Sequence, residues 1–153
     1  MKKLIASIFM LGLLTSCSMM VIEEDNIWDI SYNKEFKNIY DINVYVNNNW
    51  KYRKDIDNQK TLEFNQTPQE SWDTMTGDCE DKVILILSLI YSSFGIEGEL
   101  ILRYNPENIF EGHASFIVEG RESNVSEKCS KFYKSYTLKE LNKEIRNHRY
   151  AGY

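Results

Sequence analysis

The chain is short of positive charge, of proline and of cysteine. Its 153 residues include 18 lysines and arginines against 23 aspartates and glutamates, which gives a formal charge of −5, and no cluster of basic residues interrupts this excess. An anionic chain without a basic patch binds nucleic acid poorly, so we expect no nucleic-acid partner. The two prolines and the absence of repeats or low-complexity tracts fit one ordinary globular domain.

The N-terminus lacks an apolar run long enough to cross a bilayer. Its apolar stretch extends only from Leu4 to Leu14, after Lys2 and Lys3, and this pattern is typical of a signal-peptide core. The sequence Leu14-Thr15-Ser16-Cys17 then resembles a bacterial lipobox, in which the cysteine is acylated and becomes the mature N-terminus. The alternative is an ordinary secretory signal or an uncleaved anchor.

This interpretation divides the chain into three parts. Residues 1–16 are a lipoprotein signal peptide, residues 17–26 a lipidated tether, and residues 27–153 a single domain. Removing the signal peptide takes away two lysines and so changes the formal charge from −5 to −7. We therefore expect an exported, membrane-anchored protein, monomeric, with the lipid on Cys17 as its contact with the membrane.

The two remaining cysteines, Cys79 and Cys129, allow two interpretations. In an oxidising compartment a pair of cysteines suggests a disulfide bond. Alternatively, Cys79 in "TGDCEDKV" is a reactive thiol at the start of a helix.

The apolar pattern predicts an α+β domain. Residues 26–45 carry apolar side chains at roughly helical spacing, and the asparagines 47–49 should end that helix. The run "EDKVILILSLIYSSFG" is predicted to be a helix buried on most faces, because it starts with acidic residues and stops at Gly95, although a buried strand is the alternative. A small antiparallel sheet and a last helix should follow it. The predicted elements are strands at 98–105 and 113–120 with "PENIFEG" turning the chain between them, a third strand within "RESNVSE", and a helix at 137–145 capped by Thr137 and Glu140.

Chemistry at Cys79 would need a base. A helix start offers free backbone N–H groups and the positive end of the helix dipole, which favour a thiolate and can hold an oxyanion. Gly77 permits close approach of the backbone there. Of the two histidines, His148 falls in a polar tail and is predicted to be a surface residue, whereas His113 opens a strand and can face a helix end.

These residues carry a resemblance. The segment "GDCEDKVILILSLIYSSFGIEGELIL", followed by "GHASFIV", is similar to the core of the transglutaminase-like superfamily, and in particular to bacterial transglutaminase-like cysteine peptidases. The similarity covers residues 67 to about 127. It implies a papain-like core with a buried nucleophile helix packed on a small antiparallel sheet, Cys79 as nucleophile, His113 as general base and acid, and a third residue that orients His113.

The third residue departs from the family pattern. The family usually places an aspartate there, but no aspartate follows Asp81 in this chain. An ungapped comparison puts Asn124 in the position, and a turn one residue longer would put Glu127 there. Either residue is compatible with catalysis, since asparagine orients the histidine in papain-like enzymes.

Three further expectations concern the surroundings of Cys79. Its acidic neighbours disfavour a thiolate, so His113 should stabilise the thiolate as an ion pair. In some members of the resembling family such residues bind calcium, which makes Asp78 and Glu80 calcium candidates, although helix-capping carboxylates explain them without any metal or cofactor. Trp72 could line a substrate groove.

Two functions follow from these patterns. The first is a thiol hydrolase, a cysteine peptidase or amidase acting on a peptide or protein through an acyl-enzyme on Cys79; transfer of the acyl group to an amine, as a protein-glutamine acyltransferase does, passes through the same intermediate. The second is a non-catalytic surface lipoprotein that binds a partner and has a Cys79–Cys129 disulfide.

Overall fold

The computed structural model describes residue 28, residues 30–54 and residues 66–150, with the side chains of 147–150 left out. The predicted signal peptide, the tether and Cys17 lie outside the described residues, as does the side chain of His148. Within this part of the chain no helix is long and apolar enough to cross a membrane. Its elements are α1 (Ile39–Asn49), β1 (Lys51–Tyr52), α2 (Pro68–Thr74), β2 (Thr76–Gly77), α3 (Cys79–Phe94), β3 (Gly98–Asn105), β4 (Asn108–Val118), β5 (Arg121–Ser123), β6 (Lys131–Thr137) and α4 (Leu138–Tyr150).

Helix α3 is the centre of the core, which confirms the predicted buried helix. Every residue from Val83 to Ile90 is buried, so the helix is covered on nearly all sides. It ends at Gly95, whose φ of 67° lies in the left-handed region that a glycine adopts without steric cost. An all-round apolar helix of this kind must be enclosed, and α1, α2, β3 and β4 enclose it.

Strands β3 to β6 form one antiparallel sheet in the order β5-β4-β3-β6. Alternate residues of β4, Ala114, Phe116 and Val118, are buried in the same core as α3, as is Leu100, the partner of Phe116 on β3. The predicted α+β class, with helices and a small antiparallel sheet, is thus confirmed.

The last helix also begins as predicted. Thr137 and Glu140 form the expected capping box: the Glu140 carboxylate accepts from the Thr137 N–H at 2.8 Å, and the Thr137 hydroxyl accepts from the Glu140 N–H at 3.4 Å. Leu138, Leu141 and Ile145 on this helix are buried in the core.

Several boundaries were predicted wrongly. The first helix covers Ile39–Asn49 and includes the asparagines that were expected to end it, because the side chains of Asn47 and Asn49 bond back to residues one turn earlier. Strand β4 begins at Asn108 rather than at residue 113, so the turn takes up only two residues of "PENIFEG". Strand β6 was missed, since its residues 131–134 are exposed and show no apolar alternation.

The backbone just before α3 packs closely against the first turn of that helix. Strands β1 and β2 pair in parallel, with Tyr52 opposite Gly77. A Cβ on Gly77 would lie 2.5 Å from Oδ2 of the fully buried Asp81 and 2.9 Å from the indole of Trp50. No side chain fits there, so the glycine allows the backbone just before Cys79 to touch the first turn of α3.

We expect Gly77→Ala to lower the free energy of unfolding by about 1–3 kcal/mol, because the new methyl group overlaps Asp81 and Trp50. Gly112→Ala is the control, since a Cβ there meets only the Arg103 carbonyl oxygen at 3.8 Å. Urea unfolding of both variants measures the difference, and equal midpoints in the two would contradict the crowding at Gly77.

Candidate functional site

Two carboxylates fix Cys79 as the first residue of α3. Asp78 is the N-cap, and its Oδ1 accepts from the N–H groups of Glu80 at 3.0 Å and Asp81 at 3.3 Å. Asp81 bonds back to the Asp78 N–H at 3.4 Å and also accepts from the Gln66 N–H at 2.8 Å. This reciprocal capping box accounts for both acidic residues as structural groups and sets the direction in which Cys79 leaves the helix.

The Cys79 thiol is bonded to a neighbouring carboxylate. Its Sγ donates to Oε2 of Glu80 at 2.8 Å. Burial raises the pKa of the Cys79 thiol far above its ordinary value, and the charge and hydrogen bond of Glu80 and the charge of Asp78 raise it further. The Ala114 N–H opposes this and lowers the pKa. In this conformation the thiol is therefore protonated.

Lys82 lies one turn along α3 from Cys79 and is half-buried. Burial lowers the pKa of the Lys82 ammonium, while the charge of a Cys79 thiolate raises it. Lys82 is thus a cation close to the sulfur that the sequence analysis did not consider. Its position three residues after the cysteine in a predicted helix was the available signal.

His113 lies on β4, immediately before Ala114. Its Nε2 is 2.5 Å from the backbone carbonyl oxygen of Asn124. Because a carbonyl oxygen can only accept, Nε2 carries the proton and Nδ1 is left with a lone pair that can accept one. Among the described residues no hydrogen bond joins Cys79 to His113 directly. The backbone group that lowers the pKa of the thiol belongs to Ala114, the residue that follows His113 in the chain.

Asn124 contacts both His113 and Ala114. It has a φ of 61°, in the left-handed region that asparagine tolerates better than most residues. Its side-chain N–H donates to the Ala114 carbonyl at 2.8 Å, while its own backbone carbonyl accepts a hydrogen bond from Nε2 of His113. The structure therefore brings Asn124 to His113, through the main chain rather than the side-chain amide, and leaves Glu127 exposed.

The other candidates lie elsewhere or are already bonded. Cys129 is a buried free thiol that contacts the Glu111 carbonyl at 3.5 Å, and Cys79 is also free, so the two form no disulfide here. Trp72 packs with its ring centroid 5.7 Å from those of Tyr32 and Tyr45, in an aromatic cluster beside the core.

The oxygens of Asp78 and Glu80 and the Cys79 sulfur lie within 4.8 Å of one another. Calcium takes six to eight oxygen ligands. Two carboxylates, one of which caps a helix and one of which holds a thiol, fit that requirement poorly. Calcium binding at Asp78 and Glu80 stays a prediction.

A surface cavity of about 630 Å³ opens next to these residues, with Glu80 and His113 in its wall. Arg103 also lines it, but its guanidinium is paired with Glu122 at 2.8 Å. The rest of the wall is mainly apolar and comes from β3, the β3–β4 hairpin and β6. These side chains are Leu102, Tyr104, Ile109, Phe110 and Tyr133.

A scan of the chain against protein-family models found no match, and a search of curated proteins found no similar sequence.

The contacts of the thiol predict its reactivity. In the native chain the rate at which iodoacetamide alkylates Cys79 should still increase with pH at pH 10, because burial and Glu80 keep the pKa of Cys79 high. Glu80→Gln removes the carboxylate charge, so the pKa of the thiol should fall and alkylation at pH 8 should become about tenfold faster, the effect of one pKa unit. Glu99→Gln, an exposed carboxylate on β3, is the control. A rate unchanged by Glu80→Gln would contradict the influence of Glu80 on Cys79.

Proposed function

We propose that the protein is a thiol hydrolase, a cysteine peptidase or amidase that acts through an acyl-enzyme on Cys79. One arrangement carries this proposal: Cys79 begins α3 with its sulfur bonded to Glu80, and Glu80 lines the same cavity as His113, whose ring is held by Asn124. A nucleophile, a base and a group that holds the base thus come from one region of the protein. The arrangement also agrees with the transglutaminase-like, papain-like core that the sequence resembles.

The reaction requires one local rearrangement. The Cys79 thiol must leave the Glu80 carboxylate and approach Nδ1 of His113, which accepts the thiol proton while Nε2 stays on the Asn124 carbonyl. The thiolate then attacks the amide carbon, the carbon–nitrogen bond breaks, and the imidazolium returns its proton to the leaving amine. Water hydrolyses the resulting thioester and regenerates the thiol. An amine in place of water would give acyl transfer instead.

The start of α3 supplies an oxyanion donor. The Asp78 side chain accepts from the N–H groups of Glu80 and Asp81. Among the described residues, none accepts from the Cys79 N–H, so this donor is available for the oxygen of a tetrahedral intermediate. Losing one such donor costs an enzyme about 10²–10³ in rate, so its contribution is of the size that the mechanism needs.

One observation favours the non-catalytic alternative, a binding scaffold on the same fold. A thiol whose pKa is raised by burial and by Glu80 is a weak nucleophile at neutral pH. The export of the protein and its anchoring through Cys17 belong to both proposals, and Cys17 lies outside the described residues.

The direct test is Cys79→Ala. We expect this variant to unfold at nearly the same urea concentration as the native chain. It should lose both labelling by a thiol-directed electrophile and hydrolysis of a fluorogenic peptide mixture. Cys129→Ala should retain both activities, since the Cys129 thiol bonds to the Glu111 backbone carbonyl and, among the described residues, to neither Cys79 nor His113. Hydrolysis that persists in Cys79→Ala would exclude the mechanism and leave the scaffold.

The role of Asn124 has its own prediction. Asn124→Gly keeps the left-handed backbone and the carbonyl that receives His113, but removes the amide that binds the Ala114 carbonyl. We expect kcat/KM to fall less than tenfold, because the ring keeps its partner. Asn124→Pro cannot adopt the positive φ and should lose activity almost completely. A loss in Asn124→Gly as severe as in Asn124→Pro would show that the side chain orients the base.

A further inference from the structure

We propose that the cavity beside Cys79 selects substrates with a large apolar side chain within two residues of the scissile amide and rejects acidic ones there. This inference rests on the proposed thiol hydrolase and names its substrate class. The cavity has a volume of about 630 Å³, within the usual range for ligand sites, and its wall includes His113 and Glu80. A substrate bound in it would contact His113, the proposed base, and Glu80, the residue that follows Cys79 on α3.

The apolar side chains that line the cavity are unusually exposed to solvent. Phe110 is 94% exposed, and Ile109 and Tyr133 are each 69% exposed. Clustered apolar side chains that solvent reaches are costly and commonly mark a binding site. Gly112 lies between Phe110 and His113 on β4 and is also exposed, and a Cβ there would meet only the Arg103 carbonyl oxygen at 3.8 Å. The cavity thus has an apolar wall and an unobstructed approach to His113.

The charges in the wall exclude an acidic ligand. Glu80 brings a carboxylate. Arg103 is neutralised by Glu122, which accepts from its Nε and Nη2 at 2.9 and 2.8 Å. Apart from His113, the proposed base, the described lining residues offer no cation without an anionic partner. An acidic side chain in the cavity would meet Glu80 and lose its hydration without a compensating ion pair, whereas a neutral aromatic or aliphatic one loses nothing comparable.

The test uses peptidyl acyloxymethyl ketones, in which the thiolate displaces the acyloxy group and forms a thioether. Phenylalanine, alanine or glutamate is placed at each of the two positions before the electrophile. We expect Cys79 to react at least about tenfold faster with a phenylalanine reagent than with its alanine counterpart, and slowest with glutamate. Phe110→Ala should remove most of the preference for phenylalanine. Tyr40→Ala, which removes an aromatic side chain that is 73% exposed on α1, should leave it intact.

A binding measurement separates this inference from the proposed function. N-acetyl-phenylalanine methylamide is titrated into the Cys79→Ala variant and followed by ¹H–¹⁵N NMR, with the alanine and glutamate analogues alongside. We expect shifts centred on Phe110, Gly112 and His113 for the phenylalanine compound and at least tenfold weaker binding of the other two. Equal binding of all three, or shifts elsewhere, would overturn the inference whether or not Cys79 is catalytic. Binding as expected with an unreactive Cys79 would support the cavity and reject the hydrolase.

Discussion

The reciprocal cap between Asp78 and Asp81 is the interaction on which the rest of the site depends. It starts α3 at Cys79, and the bond from the Gln66 N–H to the buried Asp81 ties that start to the chain before α2. Because α3 is buried along its length, its first turn cannot move independently of the core. The position of the cysteine sulfur relative to β4 is therefore fixed. Only a glycine fits at residue 77, because the helix and the preceding backbone are in contact there.

The same arrangement creates the main energetic conflict in the molecule. Burial and Glu80 hold the Cys79 thiol in its protonated form. The helix dipole stabilises the opposing thiolate by at most about 2 kcal/mol. One pKa unit corresponds to about 1.4 kcal/mol, so the dipole offsets little more than one unit. A reactive thiolate thus requires a cation at the sulfur. The half-buried Lys82 responds to the charge of a Cys79 thiolate, His113 is the proposed second cation, and a substrate that separates the thiol from Glu80 would favour the change.

Local signals in the sequence predicted the elements that carry the site, but not the contacts between them. The acidic start and the glycine stop of α3, and the capping box of α4, are short-range patterns whose physical causes lie within a few residues. The contact between His113 and Asn124 depends on the left-handed turn at Asn124 and uses a backbone carbonyl, which no side-chain pattern encodes. The hydrogen bond from Cys79 to Glu80 is similar: adjacent residues in a helix usually point apart, so the geometry had to be observed.

The central claim is that His113 takes the proton of Cys79 when a substrate is bound. A crystal structure of the protein with a peptide aldehyde ending in phenylalanine tests it most directly. The account predicts a hemithioacetal on Cys79, its oxygen within hydrogen-bond distance of the Cys79 N–H, and Nδ1 of His113 about 3 Å from the sulfur, with Nε2 still on the Asn124 carbonyl. An adduct in which the His113 ring stays away from the sulfur while Glu80 remains its neighbour would contradict the account.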